Sequence, residues 1–155
     1  MTVLAAQSIR KLKPVYPFFE KMVFDGCSFG LSACGYDVRI DQSLTLRPGD
    51  FELASTVERF MMPDNIMARV SDKSTWARRG IAIQNTVIEP GWCGYLTLEI
   101  SNHGQNTIKI DRGVGIAQII FDWLDEPTEL PYIGKYQNQS SGPQAAIMEK
   151  DFKPT

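Results

Sequence analysis

The chain has 155 residues and a mass of 17.4 kDa, the size of a single domain with a short appended tail. Lysine and arginine number 16 and aspartate and glutamate 18, so the net charge of −2 argues against the broad basic surface of a duplex nucleic-acid binder. No apolar run approaches the roughly 20 residues of a membrane span, and three cysteines without a CxxC pair indicate reduced thiols, so we expect a cytoplasmic protein with no membrane or nucleic-acid partner.

The predicted elements begin with one short helix and continue as short strands. Ala5–Lys13 places Ile9 and Leu12 on one side of an amphipathic helix, which Pro14 ends. Further along, short alternating runs are separated by Gly, Pro, Asn and Asp, a spacing typical of an all-β barrel or sandwich. One helical interruption is predicted at 72–79. The predicted strands are 36–40, 43–46, 51–56, 66–70, 80–83, 95–100, 107–110 and 115–122.

The internal helical segment combines the features of an anion site. Asp72 or its neighbour Ser71 can cap the helix start, and a glycine at position 80 can follow the last turn. Free N–H groups and Lys73 then lie near the helix start, and Arg78 lies four residues beyond Ser74 on the same face. The alternative is a solvated helical turn with ordinary surface charges.

Alternation over the strand 95–100 divides its side chains between two faces. One face carries Leu96, Leu98 and Ile100, and the other carries Tyr95, Thr97 and Glu99. An acid within a short strand usually faces solvent. If Glu99 instead faces a pocket, partial desolvation raises its pKa and lets it exchange protons near neutral pH.

Two further segments can border a ligand site. Glu89 lies at a strand end beside the tight turn Pro90-Gly91, where its carboxylate can point into a cleft or be exposed at a hairpin corner. The tail from Pro131 onward is polar, with two tyrosines, a lysine and several glutamines between glycines. Such a tail is typical either of a lid over a polar ligand or of a disordered terminus.

Several chemistries are excluded by missing residues. The single histidine, His103, cannot supply a histidine-based metal site or a Ser-His-Asp triad. The H-x-E and P-C-x-x-C motifs of zinc nucleobase deaminases are absent from the sequence, as are a Walker loop and a GxGxxG motif. We therefore expect no zinc and no metal ligands from protein side chains.

Five ordered motifs resemble the dCTP deaminase branch of the trimeric dUTPase superfamily. The similarity extends from about residue 9 to residue 142 and includes the Ser32–Arg39 segment and the Pro48-Gly49 turn. Each motif is short, but their order and spacing together are specific. The motifs are Lys73-Ser74-Thr75-Trp76-Ala77-Arg78, Ile88-Glu89-Pro90-Gly91-Trp92-x-Gly94, Leu96-Thr97-Leu98-Glu99-Ile100-x-Asn102, Ile116-Ala117-Gln118 and Lys135-Tyr136-Gln137-x-Gln139.

The resemblance implies a mainly β fold, a distorted dUTPase-like β-barrel over residues 1–130 with a short N-terminal helix and one short internal helix. Residues 131–155 are implied to form a tail that closes over the active site. The family assembles as a homotrimer with active sites between subunits. Its partners are nucleotides of the dCTP, dUTP and dTTP type, and Mg²⁺ accompanies the triphosphate.

The implied reaction is the zinc-independent hydrolytic deamination of dCTP to dUTP and ammonia. Glu99 would shuttle protons, with Ser74 and Arg78 beside the reacting base to position water and stabilise developing charge. Glu89 would contact the sugar region. The other implied substrate contacts are the triphosphate-holding segment Lys73-Ser74-Thr75-Trp76-Ala77-Arg78, the pyrimidine-framing pair Thr97 and Leu98, and the tail residues Tyr132, Lys135 and Gln139.

Departures from the family pattern leave other reactions open. Asp72-Lys73 stands where the family commonly has Gly-Arg, and Glu89 replaces the usual aspartate. The alternatives are a dUTPase that forms dUMP and pyrophosphate, a bifunctional enzyme and, less favoured, a non-catalytic nucleotide-binding trimer. The Leu-Thr-Leu-Glu strand favours deamination, and so does a tail without the Gly-rich, Phe-containing phosphate loop of dUTPases.

Overall fold

The computed structural model describes residues 2–154, so Met1 and Thr155, the last residue of the predicted tail, lie outside it. Within that range the chain forms thirteen strands, two α-helices and a 3₁₀ turn at Glu149–Asp151, and none of its helices has the length and apolar character needed to cross a membrane. The helices are α1 (Ala6–Leu12) and α2 (Ser74–Ala77). The strands are β1 (Thr2–Val3), β2 (Val15–Tyr16), β3 (Met22–Phe24), β4 (Cys27–Leu31), β5 (Tyr36–Arg39), β6 (Leu44–Leu46), β7 (Phe51–Met61), β8 (Ile66–Asp72), β9 (Ile81–Ile83), β10 (Val87–Ile88), β11 (Cys93–Asn102), β12 (Ile108–Ile110) and β13 (Gly115–Trp123).

The strands form two main sheets and a two-stranded ribbon. The larger sheet has the order β10-β8-β13-β5-β4-β3, with β1 beside β13, and the second has the order β2-β7-β11-β9. In the ribbon, β12 pairs with β6. The sheets enclose one apolar core, which confirms the expected mainly β barrel with a short N-terminal helix and a short internal helix.

The core is built from the inward-facing residues of both sheets. Tyr36, Phe60, Leu98 and Phe121 are fully buried. Burial of each large apolar side chain contributes roughly 1.5–3 kcal/mol. The packing holds β11 between β7, which continues to Met61, and β9. β11 is therefore an interior strand of the second sheet, with a neighbour on each side.

The sequence predicts no strands before residue 36, but the structure has four. β2 and β3 are too short to show an alternation of apolar and polar residues. β3 and β4 form a hairpin whose turn residues Asp25 and Gly26 have φ angles of 46° and 73°. These are the angles of the mirror-image turns that favour Asp-Gly, so the Asp-Gly pair is the sequence signal for this hairpin.

The internal helix is shorter than the predicted segment 72–79. Its N-cap is Lys73, which makes no side-chain capping bond, so the prediction that Ser71 or Asp72 caps the helix is wrong. Asp72 is the last residue of β8, and its Oδ1 accepts the N–H of Ile83 at 2.8 Å instead. The predicted end is also wrong, because the helix ends at Ala77 with Arg78 as its C-cap. Gly80 lies beyond this cap, in a turn with a φ of 90°, which glycine adopts without steric cost.

Candidate active site

A cavity of about 430 Å³ opens between β11, the loop before β10 and the tail. Its volume is within the range of small-molecule sites. Apolar side chains form part of the wall, and a few polar groups converge on it. The polar lining includes Asn85, Glu89, Thr97, Glu99, Gln139 and Gln144, and the apolar lining includes Phe51, Leu53 and Leu96.

Glu99 lies on the wall formed by β11, and it is partly buried. Burial raises the pKa of this carboxyl above its ordinary value of 4.5. A carboxyl group with a raised pKa can accept and return a proton near neutral pH. The sequence left open whether Glu99 faces a pocket or solvent. In the structure this residue lines the cavity.

The pairing of β11 with β7 is irregular next to Glu99. Tyr95 pairs with Arg59 and Thr97 with Ser55, so three residues of β7 lie opposite Leu96. The predicted alternation holds beyond this point, where Leu98 is fully buried. Leu96, predicted on the same face, is partly buried, packs against the core and also borders the cavity beside the irregularity.

The tail packs beside β11 and forms part of the cavity wall. Gln139 pairs with Gly94 in a parallel bridge, and the N–H of Tyr95 donates to the Gln139 carbonyl at 3.0 Å. The indole N–H of Trp92 donates to the carbonyl of Tyr136 at 2.7 Å. A Cβ at Gly94 would lie 2.8 Å from the Gln139 nitrogen, so this close approach requires glycine. The tail is therefore held in a defined conformation.

The hydroxyl of Thr97 joins the tail to the strand. The side-chain amide of Gln139 donates to Thr97 Oγ1, and the backbone N–H of Gln144 donates to the same atom at 2.9 Å. Two residues implicated in substrate binding, Thr97 and Gln139, are thus brought together. Leu98, implicated with them, has its side chain in the core, so that side chain is not available to a ligand.

The other two tail residues differ in their position. Tyr132 lines the cavity, and its hydroxyl accepts the N–H of Tyr136 at 3.1 Å. Lys135 does not line the cavity, and its Nζ lies 2.8 Å from Oε1 of Glu149. The hydrogen bond that Lys135 donates to the Glu149 carboxylate raises the pKa of Lys135. The ammonium group therefore already has an anionic partner within the chain.

Glu89 borders the cavity at the turn that contacts the start of the tail. It follows β10 directly and is exposed. Its carbonyl accepts the N–H of Trp92 at 3.1 Å, which closes the predicted tight turn. The carboxylate of Glu89 is therefore accessible to a ligand that enters at the rim.

The segment 73–78 does not border this cavity. Trp76 is buried and its indole N–H donates to the carbonyl of Gly115 at 2.7 Å, so its side chain anchors α2 and is not available to a ligand. The exposed members of the segment are Ser74, Thr75, Ala77 and Arg78. Within one chain, the structure does not bring Ser74 and Arg78 together with Glu99 on a common cavity.

Lys73 is directed into the protein. Its Nζ lies 2.5 Å from Oδ2 of Asp37 and 2.8 Å from Oγ of Ser28. Both charged side chains of this pair are about nine-tenths buried. Of Lys73 and Arg78, the two cations in the segment, Arg78 is therefore the one exposed to a ligand.

Asn85 is a cavity residue that sequence reasoning missed. Its Nδ2 donates to the Thr97 carbonyl at 2.7 Å, and its Oδ1 accepts the N–H of Glu99 at 3.2 Å. It belongs to no motif. The available signal is the polar break Gln84-Asn85-Thr86 between two apolar runs, which marks a loop but not its contacts.

Comparison with solved structures defines the class of fold. A mutant dUTPase from phage phi11 of S. aureus, which coordinates a structural Mg(II) ion, superimposes with a TM-score of 0.55 at 16% identity, covering 66% of this chain and 84% of that chain. The fold is that of dUTPase-like proteins, as expected. A family model described as dCTP deaminase-like matches residues 34–124, more than half of the sequence. The chain belongs to the dCTP deaminase-like family.

Individual relatives agree with this assignment. A dCTP deaminase of Campylobacter concisus is 37% identical over an alignment that covers 84% of this chain and 90% of that protein. A dUMP-forming dCTP deaminase of Methanosphaera stadtmanae is 36% identical over 136 residues, covering 83% of this chain and 68% of that protein. The similarity thus extends over most of the chain.

Proposed function

We propose that the protein is a dCTP deaminase that converts dCTP and water to dUTP and ammonia, with Glu99 as the proton shuttle. The observation that carries this proposal is the partly buried Glu99 carboxyl on the β11 wall of a cavity of nucleoside size. Family membership and the names of the relatives support the choice of substrate.

The chemistry requires one group that can hold a proton and release it. Water adds to C4 of cytosine and gives up a proton to the Glu99 carboxylate. Glu99 passes this proton to N3 of the ring. The hydroxyl at C4 then gives its remaining proton through Glu99 to the amino group, so that the C4–N bond breaks, ammonia leaves, and C4 is left as a carbonyl beside a protonated N3. General acid–base assistance of this kind supplies about 10²–10⁴-fold in rate. Exclusion of bulk water and positioning of the base supply the rest.

The cavity wall offers groups to orient the nucleotide. In the proposal, the Thr97 hydroxyl and the backbone at Leu98 frame the pyrimidine, and Glu89 at the rim contacts the sugar. Residues 131–155 act as a lid on the 1–130 barrel, with Tyr132 and Gln139 over the nucleoside. Lys135 reaches the phosphates after exchanging its Glu149 partner for them, since both partners are anionic.

A second copy of the chain completes the proposed site. Ser74, Thr75 and Arg78 are exposed and lie outside the cavity of their own chain, so they are free to face the cavity of a neighbour. A homotrimer would place this segment beside the triphosphate, with Arg78 and the Ser74 hydroxyl near the reacting base. In this arrangement Trp76 and Ala77 offer their backbone groups to the nucleotide, and the buried Trp76 side chain anchors the segment. Lys73 anchors the segment through its ion pair with Asp37.

Magnesium enters the proposal with the nucleotide. Among residues 2–154, no group of three or more His, Cys, Asp or Glu side chains could hold a metal ion. The donor set of the chain therefore fits an ion coordinated by triphosphate oxygens, where it would neutralise phosphate charge. The proton transfers assigned to Glu99 do not depend on it.

A second activity is favoured by two observations. Two relatives, at 36% and 41% identity, are dUMP-forming dCTP deaminases. Glu89 places an accessible carboxylate at the cavity rim, where it could activate water toward the α-phosphate of dUTP. That step breaks the bond between the α- and β-phosphates and releases dUMP and pyrophosphate.

Product analysis tests the proposal. The protein is incubated with dCTP and, separately, with dUTP, each with and without Mg²⁺, and ammonia, dUTP, dUMP and pyrophosphate are quantified. Ammonia from dCTP is expected. Pyrophosphate from dUTP would add the second activity, and tight binding of both nucleotides without turnover would refute the proposal in favour of a non-catalytic nucleotide-binding trimer.

A further inference from the structure

Beside Glu99, the side chain of Asn85 makes the hydrogen bonds to β11 that the backbone of a neighbouring strand would otherwise make. β9 ends at Ile83, and the last backbone bond it adds to β11 runs from the N–H of Gln84 to the Glu99 carbonyl at 2.9 Å. Beyond it, the Asn85 carboxamide makes the next two bonds. It donates to the Thr97 carbonyl at 2.7 Å and accepts the Glu99 N–H at 3.2 Å. One side chain thus satisfies both backbone groups that flank Leu98.

On its other edge, the segment that Asn85 supports lies next to an irregularity in the pairing with β7. Opposite Leu96 the pairing with β7 is irregular, and the Leu96 N–H donates to the Thr56 hydroxyl at 3.0 Å instead of to a backbone carbonyl. Irregular pairing interrupts the ladder and leaves backbone groups without their usual partners. From Thr97 onward β11 pairs regularly with β7, whereas on the opposite edge the backbone at Glu99 depends on the side-chain hydrogen bonds of Asn85.

Asn85 also borders the cavity itself. Its amide is polar, uncharged and fixed by two bonds, so it holds the backbone at Glu99 without adding a charge beside the carboxyl. We infer that Asn85 is the positioning residue for Glu99, whose orientation toward the substrate depends on the paired hydrogen bonds to Thr97 and Glu99. This inference rests on the proposed deaminase function.

Two substitutions at this position separate positioning from folding. Asn85→Ala removes both hydrogen bonds. Asn85→Asp keeps an acceptor for the Glu99 N–H, loses the donor to Thr97 and adds a carboxylate among the titratable groups that line the cavity, which are Glu89, Glu99, Tyr132 and Tyr136. The matched control is Gln84→Ala, because the Gln84 side chain is exposed and only its backbone bonds to Glu99.

The expected result is a loss in kcat with little change in KM. Asn85→Ala should lower kcat for dCTP roughly 10–100-fold, the effect of a small misplacement of a catalytic group, while Gln84→Ala stays near wild type. Hydrogen exchange at the Glu99 amide, measured without nucleotide, should become faster in Asn85→Ala only. In Asn85→Asp the acidic limb of the pH–rate profile should move to higher pH, because a second carboxylate disfavours ionisation of Glu99.

Other outcomes overturn the inference. These are an unchanged kcat in Asn85→Ala, an equal loss in Gln84→Ala, and unaltered exchange at the Glu99 amide. If Asn85→Ala does not fold, the test uses Asn85→Asp, which keeps the size of the side chain. An acidic limb of the pH–rate profile that does not move in Asn85→Asp would then refute the inference. A wild-type protein that releases no ammonia from dCTP would instead refute the proposed function, and the exchange measurement would still test the Asn85 bonds.

Discussion

Lys73 and Asp37 form a buried ion pair, with Nζ 2.5 Å from Oδ2 and both side chains about nine-tenths buried. The second carboxylate oxygen of Asp37 is buried and has no hydrogen-bond partner in the described part of the chain. The charge of Lys73 therefore compensates an internal acid. This pairing ties the segment 73–78 to β5, and within that segment it leaves Arg78 as the exposed cation.

The first prediction concerns this ion pair. Lys73→Met leaves the Asp37 carboxylate buried without a cation, and loss of one partner of a buried pair costs about 3–5 kcal/mol of unfolding free energy. Urea denaturation followed by tryptophan fluorescence measures the loss. The double variant Lys73→Met with Asp37→Asn should recover much of it, and a single variant as stable as wild type would show that the pair is unimportant.

The second prediction concerns the proton shuttle. Glu99→Gln keeps the size and polarity of the side chain but cannot take up a proton, so deamination of dCTP should fall by about 10²–10⁴-fold while nucleotide binding is mostly retained. Ammonia release and isothermal titration measure the two effects. Glu52→Gln, an exposed acid on the adjacent strand β7, is the control. Near-wild-type turnover by Glu99→Gln would remove Glu99 from the mechanism.

The third prediction concerns pH. Only the ionised form of Glu99 accepts a proton from water, so kcat/KM should decrease as the pH falls through the pKa of Glu99. Because burial raises that pKa, the decrease should be centred above the ordinary value of 4.5. A pH–rate profile for dCTP measures it. A profile that stays flat down to pH 4.5 would contradict the assigned role, and Glu52→Gln should leave the profile unchanged.

The fourth prediction compares two adjacent arginines. Arg78→Ala should lower kcat/KM for dCTP about tenfold or more, because hydrogen bonds to charged groups are worth roughly 1.5–3 kcal/mol. Arg79→Ala is the matched control, since Arg79 is also exposed and its guanidinium lies over the Trp76 ring at 5.1 Å. Steady-state kinetics decide the comparison, and equal effects of the two changes would mean that Arg78 has no specific contact with substrate.

The fifth prediction separates two glutamines of the tail. Gln139 uses its side chain to reach Thr97, whereas Gln144 uses its backbone N–H. Gln139→Ala should therefore raise KM and lower kcat/KM by roughly tenfold, and Gln144→Ala should have little effect. Kinetics with dCTP at several concentrations provide the measurement. An inert Gln139→Ala variant would argue against a lid role for this part of the tail.

The sequence predicts the class of fold and several parts of the site, for identifiable physical reasons. Alternation over 97–100 follows from regular pairing, so the burial of Leu98 and Ile100 is predicted correctly. The pocket position of Glu99 was one of two open alternatives, because alternation does not distinguish a cavity from solvent. The irregularity opposite Leu96 lies in β7 and cannot be recognised in the sequence of β11 itself.

Other features depend on contacts distant in sequence. The inward direction of Lys73 depends on Asp37, 36 residues earlier. The support of Glu99 by Asn85 depends on where β9 ends, and strand ends are poorly specified by composition. The position of the tail depends on its pairing with Gly94. None of these contacts is contained in a local pattern.

The absence of a side chain at Gly94 has a mechanistic consequence. Its φ of 147° and the 2.8 Å approach to the Gln139 nitrogen leave no space for a methyl group. Alanine at this position would displace the tail by steric exclusion, yet every proposed acid, base and phosphate contact would remain in the chain. Comparing that protein with the wild type would apportion the rate enhancement between enclosure of the nucleotide and chemistry at the ring.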